Sequence, residues 1–253
     1  MISGQELVMD LAEQLSTIKL PLMALKIDEL FHSPDYLVMD KLDFLAALVA
    51  PEFKDKVSKT INNRLRTAHL IGTPCDINSC VDSTRRKYQP TGSPTVLSNL
   101  HFIENGLNVC ILGASDSGKT YLAKALGSLA CEKYRVSYNR CSEFLESLVA
   151  LKTQDYKLYE KRMKTIINFQ LLILDDFLLN TITDEREVKI LLEIMEKRIE
   201  FSRSTIVCSQ REPESWKAMI MNDEVSANAI LKRATKHYII MIQLMSEGKV
   251  LVI

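Results

Sequence analysis

The chain has 253 residues, of which 47% are hydrophobic, and its 32 basic side chains balance its 32 acidic ones. This length suits one large domain with a small appendage, and the hydrophobic fraction supports a buried core, which excludes disorder as the main state. No apolar run approaches the roughly 18 residues of a membrane-spanning helix. The first residues also lack the pattern of a signal peptide. We therefore expect a cytoplasmic protein that does not contact a membrane.

The N-terminal part of the chain has a helical pattern. Leucines recur at three- to five-residue spacing from Leu7 to Leu30, and a second stripe runs from Leu42 to Leu48. Pro51 then predicts the start of a further helix, which is rich in Lys and Arg. The pattern predicts a small all-helical domain.

After residue 100 short apolar strands alternate with helices. The predicted strands are 109–113, 136–140, 171–176, 205–209 and 238–244, and the predicted helices are 119–134, 142–168, 184–201 and 227–236. This alternation is typical of an α/β fold with a parallel sheet flanked by helices.

The segment between these two parts is rich in Gly and Pro and has little apolar periodicity, which indicates a linker or an irregular crossover. The predicted domains are a helical N-terminal domain at 1–70 that contacts DNA or a partner, a linker at 71–95 and an α/β domain at 96–253.

One segment carries highly specific chemistry. Residues 113–120 have the pattern G-x-x-x-x-G-K-T, directly after a predicted strand and at the start of a predicted helix. In such a loop the backbone N–H groups and the helix N-terminus face a chain of phosphates. Lys119 is predicted to reach the β- and γ-phosphates, and the Thr120 hydroxyl to coordinate Mg²⁺. The predicted nucleotide-binding residues are Gly113, Ala114, Ser115, Asp116, Ser117, Gly118, Lys119, Thr120 and Tyr121.

Two carboxylates follow a second buried strand. Asp175 and Asp176 come directly after four apolar residues, at the carboxyl end of the strand, where open α/β sheets bind their ligands. Together with the phosphate loop, this position predicts that Asp175 holds Mg²⁺ and that Asp176 polarises the attacking water.

Two further segments contain candidate catalytic residues. The strand from Ser204 ends at Gln210, whose amide could lie between the carboxylates and the γ-phosphate, although a strand that simply meets its loop would look similar. Arg233 could stabilise the γ-phosphate during transfer, in a neighbouring subunit. Lys232 and Arg233 could equally form a solvated helix face.

In this order the segments resemble the AAA+ ATPases and, within them, the IstB-like transposition helper proteins of the IstB/DnaC branch. Residues 172–177 look like the Walker B segment of that family, 204–210 like its sensor 1 strand and 229–233 like the stretch with its arginine finger. The helical region at 20–70 looks like the domain that precedes the ATPase core. Leu178 stands where the family has Gly, and Arg211 follows Gln210 where the family has Leu.

The resemblance implies an AAA+ P-loop core and an ATPase that uses ATP and Mg²⁺. Such helpers are thought to form ATP-dependent homo-oligomers on double-stranded DNA and to recruit or activate a partner transposase. Contact with duplex DNA requires neutralisation of phosphates. The candidate donors are Lys54, Lys56, Lys59, Arg64, Arg66, Arg85, Arg86, Lys87, Lys152, Lys157, Lys161, Arg162 and Lys164. A mixed-charge helix can also be only a solvated face.

Three alternatives remain open at this stage. A DnaC-type loader of the replicative helicase would prefer single-stranded DNA, and tyrosines such as Tyr134, Tyr138, Tyr156 and Tyr159 could stack on its bases. A small-molecule kinase would use the same loop but would be monomeric and indifferent to DNA. A scaffold that binds nucleotide without hydrolysing it would not need Gln210 or Arg233 at the site.

Overall fold

A computed structural model describes residues 3–72, 74–220 and 223–245 of the chain. Within these ranges no helix combines the length and the apolar character that a membrane crossing requires. The chain divides into two compact units, 1–63 and 64–253.

The smaller unit consists of helices. They are α1 (Gly4–Thr17), α2 (Pro21–Phe31) and the greater part of α3 (Lys41–Thr67). Ser3 caps α1 in a reciprocal arrangement, in which its hydroxyl accepts the Glu6 N–H while its own N–H donates to the Glu6 carboxylate. The buried apolar side chains of this unit are Val8, Ala24, Ile27, Leu30 and Leu48.

The prediction of a helix start at Pro51 is wrong, because α3 continues through this proline. A proline inside a helix costs about 3 kcal/mol. Contacts made by residues before and after Pro51 offset this cost. Leu48 lies in the core of the unit, and the Glu52 carboxylate accepts the backbone N–H groups of Leu22 and Met23 at the start of α2.

The larger unit is built around a sheet. Its strands are β1 (Arg86–Gln89), β2 (Val109–Gly113), β3 (Val136–Arg140), β4 (Leu171–Asp175), β5 (Ser204–Ser209) and β6 (Tyr238–Leu244). Its helices are α4 (Ser93–Leu97), α5 (His101–Glu104), α6 (Lys119–Ala130), α7 (Cys141–Gln154), α8 (Tyr156–Asn168), α9 (Glu185–Glu200) and α10 (Glu224–Ala234).

The six strands are ordered β1-β6-β2-β5-β4-β3, and all neighbours are parallel except β1 and β6. Strands β4 and β5 are buried along their whole length, and so is β2 up to Leu112, which explains their apolar sequences. The predicted α/β class with a mostly parallel sheet and preceding helices is confirmed. The carboxyl ends of β2, β4 and β5 meet at one edge, which we call the carboxyl edge.

The segment predicted as a linker, 71–95, contains strand β1. Only Tyr88 of this strand is buried, so its sequence lacks the alternation that would predict a strand. The division between the units also lies before residue 70. The Arg64 guanidinium donates to the carbonyls of Cys131 and Glu132, and Leu70 is buried in the core of the larger unit.

The helix predicted at 142–168 is two helices, α7 and α8. Asp155 lies between them with an extended backbone, and its carboxylate accepts the Leu158 N–H at 3.0 Å. An Asp with this geometry caps a new helix and so interrupts the long pattern.

Candidate nucleotide-binding site

The loop between β2 and α6 has a backbone that suits its glycines. Gly113 and Gly118 have φ angles of +154° and +99°, a region that side chains with a Cβ rarely adopt. A Cβ on Gly113 would lie 2.6 Å from the Ile242 carbonyl oxygen. Non-glycine Asp116 also has a positive φ of 59°. The loop can therefore curl tightly ahead of the helix N-terminus.

Lys119 is the first residue of α6 and is almost fully buried. Its ammonium donates to the Ala114 carbonyl at 2.7 Å, so it lies across the loop. Burial lowers the pKa of Lys119, and the nearby carboxylates of Asp175 and Asp176 act in the opposite direction. The side chain thus presents a cation inside a poorly solvated loop.

Asp175 is buried at the end of β4, and its carboxylate is held by two donors. One oxygen accepts the Asp176 N–H at 3.1 Å, and the other accepts the Tyr138 hydroxyl of β3 at 2.6 Å. Burial, and then the bond to Asp175, raise the pKa of Tyr138, so this phenol remains a donor. From the sequence, Tyr138 was predicted only as a possible stacking residue. No local pattern could predict this bond, because it depends on β3 pairing with β4.

The backbone after β4 turns sharply. Asp176 and Leu178 have φ angles of +52° and +51°. The Phe177 N–H between them donates to the Cys208 carbonyl of β5 at 2.7 Å and fixes the turn to the sheet. The family that the sequence resembles has Gly where this chain has Leu178, and Gly adopts such an angle without a steric cost.

A cavity of about 470 Å³ lies at the carboxyl edge. The phosphate loop contributes Ser115, Asp116, Gly118, Lys119 and Thr120, and the strand ends contribute Asp176 and Gln210. Its remaining wall consists of Cys75, Tyr121 and Lys124, of which only Tyr121 was predicted. Lys124 follows Thr120 by four residues on α6, which places both side chains on one helix face. The structure therefore brings the loop, Asp176 and Gln210 together.

Gln210 directly follows Ser209, the last residue of β5, whose side chain is held by two hydrogen bonds. The Ser209 hydroxyl donates to the Phe177 carbonyl at 2.9 Å and accepts the indole N–H of the buried Trp216 at 3.2 Å. These contacts tie the end of β5 to the turn after β4.

Arg233 is not near this cavity. Its guanidinium donates to the Glu196 carboxylate at 2.7 Å and to the Ala229 carbonyl at 2.9 Å. The Asn108 side chain donates to the Arg233 carbonyl, and Asn108 immediately precedes β2. Arg233 therefore lies at the opposite edge of the sheet from the phosphate loop of its own chain.

The basic residues predicted to contact DNA have different surroundings. Lys56 and Lys59 form ion pairs with Glu52 and Asp55 on α3. All four side chains at Lys54, Lys56, Lys59 and Arg66 are exposed. Arg64 donates to backbone carbonyls, as described above. On α8 the exposed cations are Lys157, Lys161, Arg162 and Lys164.

Two side chains carry oxygens of the kind that Mg²⁺ uses when it is bound together with a nucleotide. Thr120 lines the cavity with its hydroxyl, whereas the buried Asp175 carboxylate lies next to Asp176 and is not part of the cavity wall. Mg²⁺ is commonly held by one or two protein oxygens together with substrate phosphates. In the described part of the chain, no group of three or more His, Cys, Asp or Glu side chains could hold a metal ion by itself. The buried Ser117 hydroxyl has no hydrogen-bond partner among the described residues, which leaves a donor for a ligand of the loop.

The sheet order and the phosphate loop define an ATP-binding protein with a fold of the AAA+ type. The fold is similar to that of the replication initiator DnaA bound to AMPPCP and single-stranded DNA, with a TM-score of 0.54 and 20% identity over 69% of this chain and 51% of that one. It is also similar to the DnaC helicase loader, with a TM-score of 0.52 and 16% identity over 68% of this chain and 98% of that one.

The sequence profile of the IstB-like ATP binding proteins matches residues 13–248, and the chain belongs to this family. An insertion sequence ATP-binding protein of Sinorhizobium fredii is 32% identical over 87% of this chain and 88% of its own length. The IS232 ATP-binding protein of Bacillus thuringiensis is 33% identical, and the match spans 55% of this chain and 54% of that protein. The recognition of the family from its motifs is thereby confirmed.

Proposed function

We propose that this protein is an ATPase that assembles on double-stranded DNA and recruits or activates a transposase. The observation that carries the proposal is the cavity at the carboxyl edge, where the phosphate loop meets Asp176 and Gln210. Membership of a family whose relatives belong to insertion sequences supports the link to transposition.

In this proposal the predicted residues at and beside the cavity have distinct roles. Lys119 neutralises the β- and γ-phosphates, and the backbone N–H groups of the loop bind their oxygens. Asp176 orients the attacking water, and Gln210 contacts the γ-phosphate. Thr120 and Asp175 would hold Mg²⁺, which would neutralise the charge that develops on the phosphates. Tyr138 keeps the Asp175 carboxylate in place.

We assign Arg233 to the active site of a neighbouring subunit. Its position at the edge opposite the phosphate loop excludes a role in its own cavity, so the proposed role requires a second copy. Because Arg233 is paired with Glu196, assembly would require this ion pair to open. Removal of the γ-phosphate would then loosen the oligomer.

Exposed cations support contact with DNA. Lys157, Lys161 and Arg162 lie on α8 at the surface. Lys and Arg side chains that neutralise phosphates bind duplex DNA without reading its sequence. The N-terminal candidates Lys54, Lys56, Lys59 and Arg66 remain proposals of the same kind, whereas Arg64 is engaged by backbone carbonyls.

A helicase loader is the second candidate function, and the likeness to the DnaC loader favours it. This function would need aromatic residues that stack on single-stranded DNA. Of the four tyrosines considered, Tyr156 is 58% exposed and Tyr159 is buried. Tyr138 is bonded to Asp175, and the part-exposed Tyr134 donates its hydroxyl to Glu104 at 3.1 Å. One exposed ring weighs against stacking along a strand, so we retain duplex DNA as the ligand.

The test compares ATP turnover and molecular mass with duplex DNA, with single-stranded DNA and without DNA. For the parent we expect duplex DNA to stimulate turnover and to raise the mass in the presence of ATP. Lys119→Ala should abolish ATP binding and ATP-dependent assembly. Asp176→Ala should bind ATP but hydrolyse it at least about 100-fold more slowly, so that the oligomer persists on DNA.

Three outcomes would contradict the proposal. Parental turnover in both variants would mean that the site is wrongly assigned. Turnover that ignores DNA, in a protein that remains monomeric, would favour a small-molecule kinase. Stimulation by single-stranded DNA alone would favour the helicase loader.

A further inference from the structure

Strand β1 brings Arg86 to the phosphate loop. β1 runs antiparallel to β6, with Arg86 opposite Leu244, and β6 runs parallel to β2. The first residue of β1 therefore lies at the carboxyl edge, where β2 enters the loop. This position depends on pairing between residues far apart in the chain.

The guanidinium of Arg86 lies flat against Gly118. A Cβ built on Gly118 would be 2.8 Å from Cζ of Arg86 and 3.0 and 3.1 Å from its two terminal nitrogens. Three nearly equal distances mean that the plane of the group faces the glycine. Gly118 thus serves two purposes, since it adopts a φ of +99° and leaves room for a cation beside Lys119.

The Arg86 guanidinium has N–H donors that are free to bind a ligand. The Nε of Arg86 is buried without a hydrogen-bond partner. Its neighbours Tyr88 and Cys80 are uncharged groups, and among the described residues no carboxylate forms an ion pair with this side chain. The Ser117 hydroxyl, one residue before Gly118, is likewise buried and unpartnered. A buried donor without an acceptor is costly, and a guanidinium is well suited to the oxygens of a phosphate.

We infer that Arg86 binds a phosphate oxygen of the nucleotide in the same chain, as a second cation beside Lys119. The inference rests on the proposed nucleotide site and adds to it a residue from outside the motif. The guanidinium lies against Gly118, directly before Lys119, which is predicted to reach the β- and γ-phosphates. The anion is therefore the phosphate chain of a nucleoside di- or triphosphate.

The test is the affinity of the full-length protein for ATP, ADP and AMP, measured by calorimetry with Mg²⁺. Arg86→Ala should weaken ATP and ADP binding by about tenfold or more, which corresponds to the loss of a charge-assisted hydrogen bond. AMP should be affected much less. Arg86→Gln retains a polar chain without the charge, so it should behave like Arg86→Ala, whereas Arg86→Lys should recover part of the affinity.

Lys87→Ala is the matched control, because Lys87 is the next residue of β1, is exposed and points to the other face. It should bind all three nucleotides like the parent. Parental affinity for ATP in both Arg86→Ala and Arg86→Gln would overturn the inference. An equal loss for ATP, ADP and AMP would also overturn it, since that result indicates packing alone. If the parent itself binds no nucleotide, the proposed function fails instead.

Discussion

The two units of the chain differ in how completely they bury their apolar residues. In the larger unit, helices cover both faces of the sheet, and strands β4 and β5 are buried along their length. In the smaller unit Leu37 and Val38 are 90% and 81% exposed, and Leu42 is 75% exposed. Because apolar burial supplies most of the free energy of folding, we expect the larger unit to be the more stable. A rigid sheet also suits a site whose charged side chains must be held in fixed positions.

The largest effect should come from Arg198, which is fully buried in the larger unit. Its guanidinium donates to the Thr205 hydroxyl and to the carbonyls of Ile166, Phe169 and Ser204. Burial lowers its pKa to about 9. Arg198→Met would leave these acceptors buried without a donor, so we expect a loss of about 3–5 kcal/mol in the free energy of unfolding.

Tryptophan fluorescence in urea measures this loss in the larger unit alone, because the single tryptophan, Trp216, is buried there. Arg186→Met is the control on the same helix, since Arg186 is exposed and pairs with Asp184. It should change stability by less than about 1 kcal/mol. Equal effects of the two variants would mean that the buried hydrogen bonds of Arg198 to α8 and β5 do not stabilise the unit.

A smaller effect is expected from Glu52 in the smaller unit. Its carboxylate accepts the Leu22 N–H at 2.9 Å and stabilises the start of α2. Glu52→Ala should lower the free energy of unfolding of this unit by about 1–3 kcal/mol, because a part-buried N–H loses its acceptor. Circular dichroism reports on the helices of both units, so the lower stability of the smaller unit should appear in this signal. The unfolding transition followed by Trp216 fluorescence should be unchanged.

Asp55→Ala is the control for Glu52, since Asp55 lies on the same helix and forms a surface ion pair with Lys59. We expect about 0.3–0.5 kcal/mol for it. If Glu52→Ala shifts the tryptophan transition as well, the two units unfold together. Their difference in apolar burial would then not produce a difference in stability.

The difference in apolar burial between the two units also explains how much of the fold could be predicted from the sequence. Strands β2 and β4 were found because a strand buried on both faces needs a run of apolar residues. The phosphate loop was found because its chemistry fixes the spacing of Gly118, Lys119 and Thr120. The helix start predicted at Pro51 is wrong because the packing that stabilises α3 around this proline involves residues of another helix.

The parts of the site that were missed depend on contacts between distant segments. Arg86 looked like a member of a basic cluster, and only its pairing opposite Leu244 brings it to Gly118. Tyr138 contacts Asp175 because β3 and β4 are neighbours in the sheet, although the two residues lie 37 positions apart in the sequence. Local patterns carry no information about such pairings. The register of the sheet has to be known first.

The smallest effect should be that of Leu37→Ser, which tests the exposed surface of the smaller unit directly. Because Leu37 is 90% exposed, the change should alter the free energy of unfolding by less than about 0.5 kcal/mol, measured by circular dichroism in urea. Leu30→Ala is the contrasting variant. Leu30 is 7% exposed, and its truncation should cost about 2–5 kcal/mol. If Leu37→Ser destabilises the protein as much as Leu30→Ala does, Leu37 must be covered in solution. The smaller unit would then bury its apolar residues as fully as the larger one.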